Sequence, residues 1–350
     1  MTIAPFTVAV GPSTGSRPVQ QVTDFLSWTL DNNLDDGCSL TFSTRGDSTA
    51  AQLIDELVTD IWLYEGGNLY QRFRVVAVSQ EWGPSGEDEA TITGACYRRL
   101  LKKAHVRNAL EYVGVAQDQI ILNLVNHAQA ATGGNIGITA GSLTSATPRY
   151  REYLVGQNIF DAIVEFTTID GGVEWNVDSN LQLDVRPQQS LPLDPTPIQL
   201  GVTARRMSRP SSAEQFANAA IVSGNAENVY PEIVEDAGLA TDPRGRWERY
   251  ADLQADTPTE LLELADGLIQ AAISPVATWT IEMEPDRYFG DANYQIGSLV
   301  TIAQPRSTVY PVGVAAPTIR AQIISRSIIQ TAAGDTTVTL TAVEAPESGS

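Results

Sequence analysis

The residues able to do chemistry in this chain are few and widely spaced. Gly11-Pro12-Ser13-Thr14-Gly15 matches the G-x-S-x-G pattern, in which a serine on a strand-to-helix turn becomes a nucleophile. That chemistry needs a helix beginning at the serine, and Pro18 with its neighbours denies the segment a regular one, so it reads as a glycine turn. Gly46-Asp47-Ser48 matches a second hydrolase motif, yet no histidine follows His127, and Asp47 is better placed as the cap of a short helix. Arg45-Gly46-Asp47 spells an adhesion tripeptide and reads as part of the same turn. His105 and His127 are the only imidazoles, which leaves general-base and metal chemistry little to draw on. His127 falls in mid-helix beside an apolar stripe, the position of a surface or packing residue.

The remaining candidates dissolve on counting. Asp31-Asn32-Asn33-Leu34-Asp35-Asp36-Gly37 begins like a calcium loop, but its glycine comes one place late and Phe42 stands where a bidentate glutamate is required. Cys38 and Cys96 show neither CxxC nor zinc spacing and read as two buried, reduced thiols, with no metal. Gly133-Gly134-Asn135-Ile136-Gly137 lacks the lysine and the preceding strand of a phosphate loop. The 42 Asp and Glu residues leave room for a glycosidase pair, which is defined by spatial separation and has no sequence signature; nothing points to one. No catalytic, cofactor-binding or metal-ligating residue is assigned, no cofactor is expected, and the chain reads as a non-enzyme.

The chain that must position these residues has 350 of them, enough for two to four domains at about 100 to 150 residues each. At 43% hydrophobic and 18% charged residues it is globular. A formal net charge of -20 argues against nucleic acid held through its phosphates, because that affinity comes from clustered Lys and Arg. Lys102 and Lys103 are the only lysines. No stretch approaches the roughly 18 to 20 apolar residues of a membrane span, and MTIAPFTVAVGP lacks the basic and apolar regions of a signal peptide, so a cytosolic product without membrane insertion is expected.

Strands dominate the first hundred residues. FTVAV is followed by FLSWTLDNNLDDGCSLTFST, two apolar stretches around an Asn/Asp/Gly turn. Asp47 then opens a short helix predicted to place Ala50, Leu53, Ile54 and Leu57 on one face. In DIWLYEGGNLYQRFRVVAVSQEWG, Gly66-Gly67 supplies the turn, with Arg72 and Arg74 on one strand face and Phe73 and Val75 on the other. ATITGACY and the basic RRLLKKAHVR close a small barrel unit near residue 104. Next, Asp118 is predicted to cap a helix burying Ile121, Leu124, Val125 and Ala128, stopped by Gly133-Gly134. A helix from Asn158 through Phe166 buries Ile159, Ile163 and Phe166 and runs into GGVEWNVDSNLQLDVRP, a hairpin turned at Asp178-Ser179-Asn180. QQSLPLDPTP, with Pro192, Pro195 and Pro197, is the best linker.

Beyond it FANAAIVSG is a strand and PEIVEDAGLATDPRGRW a surface loop. Thr257-Pro258-Thr259-Glu260 is a capping box opening a helix through Leu261, Leu264, Leu268 and Ile269 that Ser274-Pro275 ends. ATWTIEME, YQIGSLVTIA and the hairpin RAQIISRSIIQTAAGDTTVTLTAV finish the chain; Val338, Leu340 and Ala342 alternate with threonines, as in a half-buried strand. The predicted fold class is mainly β (α+β), with about four helices: two tube-like β-barrel domains with helices, plus a smaller inserted α+β region. The units are 1-104, 105-190 and 191-350, the last allowed to be discontinuous with the middle one.

This order of elements resembles the tail hub, or minor tail, proteins of long-tailed bacteriophages, which are similar to the baseplate hub of contractile-tailed phages. The segments that carry it are LYEGGNLYQRFRVVAVSQEW, QNIFDAIVEFTTIDGGVEWNVDSNLQLDVRPQ, FANAAIVSGN and YQIGSLVTIA with the closing hairpin, spanning nearly the whole chain. The resemblance implies a homotrimeric ring at the distal end of the tail tube, each subunit giving two barrels so that three match a six-fold tube. It also implies neighbours in the virion tail (distal tail ring, tape measure, tail tip or fibre proteins), assembly in the host bacterial cytoplasm and DNA only in transit. It supplies no catalytic residue. The chain ends soon after its last strand, at APESGS, so lytic activity is expected of another chain.

Two other classes stay open. A carbohydrate- or receptor-binding tail module would show an exposed aromatic cluster, for which Trp247, Tyr250, Tyr288 and Tyr294 are the candidates. A cell-wall hydrolase would show activity in purified protein. The expected outcome of peptidoglycan and ester hydrolysis assays is no turnover, and substitution of Ser13, Ser48, His105 or His127 then changes nothing; turnover lost in one of these variants contradicts the reading.

Overall fold

Alternating apolar and polar residues put one side chain in two on a buried face, and this pattern builds most of the molecule. The computed structural model describes residues 6–15, 17–82, 88–169, 171–188, 196–212, 216–224, 231–241, 243–252, 258–272, 276–290, 294–303 and 318–344. Fourteen strands form one large sheet. Its path runs Ala204–Ser208, Val276–Met283, Thr336–Glu344, Thr318–Thr331, Phe25–Asn33, Gly37–Arg45, Asp88–Cys96, Asn68–Trp82, Thr59–Glu65, Phe6–Pro12 and Gln20–Val22. The early and late parts of the chain meet where Phe25–Asn33 pairs antiparallel with Thr318–Thr331, Leu30 facing Ile328. Trp28 Nε1 donates to Gln330 Oε1 at 2.9 Å across this seam. One apolar core serves both parts, joining Trp28, Leu40, Phe42, Ile61 and Phe73 to Trp279, Ile281, Ile323 and Leu340.

A second core fills the segment between them, where the helices Gln117–Gln129 and Ile159–Thr168 pack with Tyr97, Tyr153, Trp175 and Val185. Asn158 caps the second helix, its Oδ1 accepting from the Phe160 and Asp161 amides, and Ile159, Ile163 and Phe166 are fully buried as predicted. The hairpin Val173–Val177 with Gln182–Pro187 turns on Asp178, whose Oδ1 accepts from the Asn180 and Gln182 amides. A third, small core lies under the helix Pro258–Ala272, against a three-stranded sheet of Ala219–Ser223, Glu232–Glu235 and Glu248–Asp252.

Local signals set most of these elements. Asn33 Oδ1 accepts from the Asp35 and Asp36 amides, and Gly37 takes a positive φ of 84°, so the acidic loop is a hairpin turn. Gly66 and Gly67, at φ 55° and 86°, turn the next hairpin. In the last strand Val338, Leu340 and Ala342 are buried. Cys38 and Cys96, 58 residues apart in sequence, are reduced, buried neighbours: the Cys38 amide donates to Cys96 Sγ at 2.9 Å.

Several expectations are corrected. Ser48, not Asp47, caps the first helix, accepting from the Ala51 amide, while Asp47 pairs with Arg45. That helix covers only Thr49–Gln52; Leu57 lies outside it at φ 63°, and Leu53 and Leu57 are exposed. The helix Gln117–Gln129 starts after Ala116, and Asp118 sits in its first turn, holding the Ser145 amide at 3.1 Å. It ends four residues before Gly133. FANAAIVSG supplies the expected strand, Ala219–Ser223, in the small sheet, whereas the supposed loop after Pro231 contains the strand Glu232–Glu235. Six α-helices occur among the described residues, against about four expected; the extra ones are four to six residues long, too short for a periodic pattern. Thr257, the Ser274-Pro275 stop and the linker prolines Pro192 and Pro195 lie outside the described residues.

One buried charge organises the first unit. Asp60 is fully buried, and Arg72 Nε and Arg74 Nε each reach one of its carboxylate oxygens at 2.6 Å, while the Tyr97 hydroxyl donates at 2.5 Å. The predicted facing of this strand holds: Phe73 and Val75 point into the core and both arginines point to the other side. Arg72 also donates to the Ser13 and Gly15 carbonyls, and Arg74 to the Leu57 carbonyl, so one carboxylate fixes two loops and the entry to the middle segment. Its Coulomb attraction offsets the desolvation cost because every oxygen is bonded. Asp60→Asn is expected to cost about 3–5 kcal/mol in urea denaturation, since it strands two half-enclosed cations. Burial, then the Asp60 charge and hydrogen bond, push the Tyr97 phenol up to about 12. The folded state therefore holds this proton more tightly than the unfolded chain, whose tyrosines ionise near about 10. The contribution is complete below that value and is lost as pH rises through 12; urea midpoints measured across this window should fall less steeply for Tyr97→Phe.

Candidate functional site

The residues weighed for catalysis are not assembled. Ser13 sits in a turn, its amide donating to the Val58 carbonyl and its carbonyl accepting from Arg72, with no helix following. Ser48 is spent on its helix cap. His127 Nε2 accepts from the Arg107 amide at 2.9 Å, and burial with the Arg107 charge holds its pKa below the ordinary histidine value. His105 is exposed, bridging through its main chain to Asn158. Among the described residues no group of three or more His, Cys, Asp or Glu is placed to hold a metal, and no helix is long and apolar enough to cross a membrane.

What the molecule does present is an open sheet. Among the described residues its path ends at Gln20–Val22 on one side and at Ala204–Ser208 on the other, each laddered to one longer strand, with a single bridge from Leu200 to Ala204 on the outer flank of the second. Free edges carry unpaired N–H and C=O groups and template further pairing. The first edge is neutral: exposed Val19 leads into Gln20 and Gln21, beside a shallow groove of about 270 Å³ lined by Thr7, Ala9 and Tyr64. The second is basic: Arg205 pairs with Glu284 at 2.9 Å, Arg206 is exposed, and Leu200 and Val202 add apolar surface. Neither strand shows in the sequence, the first because three residues are too few for alternation, the second because adjacent arginines hide it.

The aromatic candidates for a binding face separate. Tyr288 and Tyr294 are buried and stacked, centroids 6.0 Å apart. Trp247 and Tyr250 are exposed on the small sheet with Ile233, but Trp247 Nε1 is tied to the Arg244 carbonyl and the Tyr250 hydroxyl to Asp252. Two tethered rings fall short of the expected four-residue cluster.

No family model matches the sequence, and no curated protein matches it. Solved structures do. The tail protein from Neisseria meningitidis MC58 superposes with a TM-score of 0.69 at 12% identity, over 97% of this chain and 96% of its own. The prophage MuSo2 43 kDa tail protein from Shewanella oneidensis gives 0.69 at 12% identity, over 97% and 98%. The E. coli c3393 protein, a type VI secretion component described as similar to T4 bacteriophage tail proteins gp27 and gp5, gives 0.53 at 10% identity, over 97% and 77%. The chain therefore has the fold of these phage tail proteins. At these identities the likeness is one of architecture.

Proposed function

We propose that this chain is a structural subunit of a phage-type tail, forming a homotrimeric hub ring at the distal end of the tail tube. The observation that carries the reading is the match of the whole chain to tail proteins, together with a sheet left open at both ends. Units 1-104, 105-190 and 191-350 are read as a first barrel, an inserted α+β region and a second barrel. Head-to-tail contacts repeated by rotation close a ring and cover exposed sheet edges, so closure serves solubility as well as symmetry. The neutral edge near Gln20–Val22 of one copy is assigned to the basic edge near Arg206 of the next. Neighbours are other tail proteins: a distal tail ring, the tape measure, and tip or fibre proteins. DNA passes through without being held; a net charge of -20 per copy disfavours phosphate binding and suits an acidic channel wall. The reading places the chain in the virion tail after assembly in the host cytoplasm, as a non-enzyme.

Light scattering should give three times the 37.7 kDa chain mass for the purified protein. Val19→Asp combined with Arg206→Glu should shift the particle toward monomer while leaving circular dichroism unchanged, because both positions are exposed. A stable monomer or dimer in the virion, or an arginine-lined channel, contradicts the proposal.

A further inference from the structure

In a chain with 42 acidic and 22 basic residues, a buried arginine should find a carboxylate easily. Arg98 and Arg326 do not. They are 3% and 8% exposed, they form no ion pair among the described residues, and the Nε of each is buried without a hydrogen-bond partner. Each makes one hydrogen bond among the described residues. Arg98 Nη2 donates to the Asp35 carbonyl at 3.2 Å, and Arg326 Nη1 donates to the Tyr288 hydroxyl at 2.6 Å. Their remaining support is aromatic, Arg98 lying 4.3 Å from the Trp175 ring centroid and Arg326 5.4 Å from that of Tyr70. Stacking on a ring recovers only part of the cost of removing a guanidinium from water.

Both arginines line one cleft of about 330 Å³, between the seam of the large sheet and the Val173–Pro187 hairpin. Neutral donors, Asn32, Gln71 and Ser179, share its wall. The carboxylates there are already engaged: Glu174 holds Arg186 and Gln322, and Asp178 holds its own turn. Asp36, near Arg98, is held by Lys102 and Arg99. The Asp35 and Glu65 carboxylates act on the two arginines only through space.

We propose that this cleft binds a small phosphate-class oxyanion through the Arg98 and Arg326 guanidinium groups. A tetrahedral oxyanion accepts from several donors at once, and the fork of an arginine matches it. Arg98 enters on the short helix Tyr97–Leu100 and Arg326 on the strand Thr318–Thr331, so the anion bridges segments more than 200 residues apart. The ligand is either free inorganic phosphate or the phosphate group of a nucleotide.

Isothermal titration of the wild-type full chain with inorganic phosphate, at ionic strength held constant with chloride, decides the matter. The expected result is saturable binding of one phosphate per chain, weakened about 10- to 100-fold by Arg98→Gln and by Arg326→Gln, the loss for hydrogen bonds to a charged group. The surface variant Arg249→Gln should bind as wild type. Titration with adenosine monophosphate separates the sources: equal or tighter binding assigns a nucleotide phosphate, and absence of binding assigns the free ion. Bound phosphate at ten times its Kd should raise the ratio of folded to unfolded chain about elevenfold, read as a higher urea midpoint. Absence of saturable phosphate binding by wild type at millimolar concentration overturns the proposal, even if neither glutamine variant folds. So does binding that persists unchanged in both variants.

Discussion

Leu30 faces Ile328 across two antiparallel strands, and this contact joins parts of the chain separated by almost its whole length. Closing a loop of that size costs about 5 kcal/mol in chain entropy by the logarithmic estimate. The seam offsets it by making one core of two: Trp28, Leu30 and Phe42 bury against the same interior as Ile323, Ile328 and Leu340. Without this pairing the Phe25–Asn33 and Thr318–Thr331 strands would each be an open edge, and the segment between them would have no fixed floor. The middle unit hangs from this floor through Tyr97, whose hydroxyl reaches Asp60 in the first unit while its ring packs in the second core.

How much of this was legible in the sequence follows from the range of each signal. Hairpins closed by Asn33, Gly66-Gly67 and Asp178 were readable because the turn residue, the alternation and the partner strand lie within about 20 residues. The Asn158 cap was readable for the same reason. The seam was not, since nothing local to Phe25–Asn33 names Thr318–Thr331 as its partner. The Asp60 cluster was half visible: Arg72 and Arg74 were assigned to one face, but the acid they share lies on the neighbouring strand. Ser48 was missed as the first helix's cap because Asp and Ser are both good caps, the two residues are adjacent, and only backbone geometry separates them. The edges and the arginine cleft were invisible, being products of tertiary placement.

The polar residues weighed for chemistry are used in other ways. Ser48 caps a helix, His127 accepts a main-chain amide, Asp118 holds the Ser145 amide and Asp178 a hairpin turn. Each is committed to backbone groups that would otherwise lack a partner, the ordinary fate of buried or half-buried polar atoms. Arg98 and Arg326 are among the residues that depart from that rule, and these two charged groups line the same cleft. Two unrelated lapses in one place would be a poor use of buried charge; a shared ligand explains both at once.

Charge also constrains how copies can meet. Every chain brings a net -20, so any contact between identical subunits works against long-range repulsion, which salt screens beyond about 8 Å at physiological ionic strength. Short-range contacts must therefore avoid adding carboxylate to carboxylate. The two open edges meet that condition: Val19, Gln20 and Gln21 carry no charge, and on the other side Arg205 is balanced by Glu284 while Arg206 adds a positive charge. Pairing the neutral edge with the basic one places no like charges opposite each other, whereas pairing basic with basic would oppose arginines across the junction. In the proposed assembly, head-to-tail contact therefore suits the edges better than a two-fold contact between identical basic edges, and repeated by rotation it would close the proposed ring.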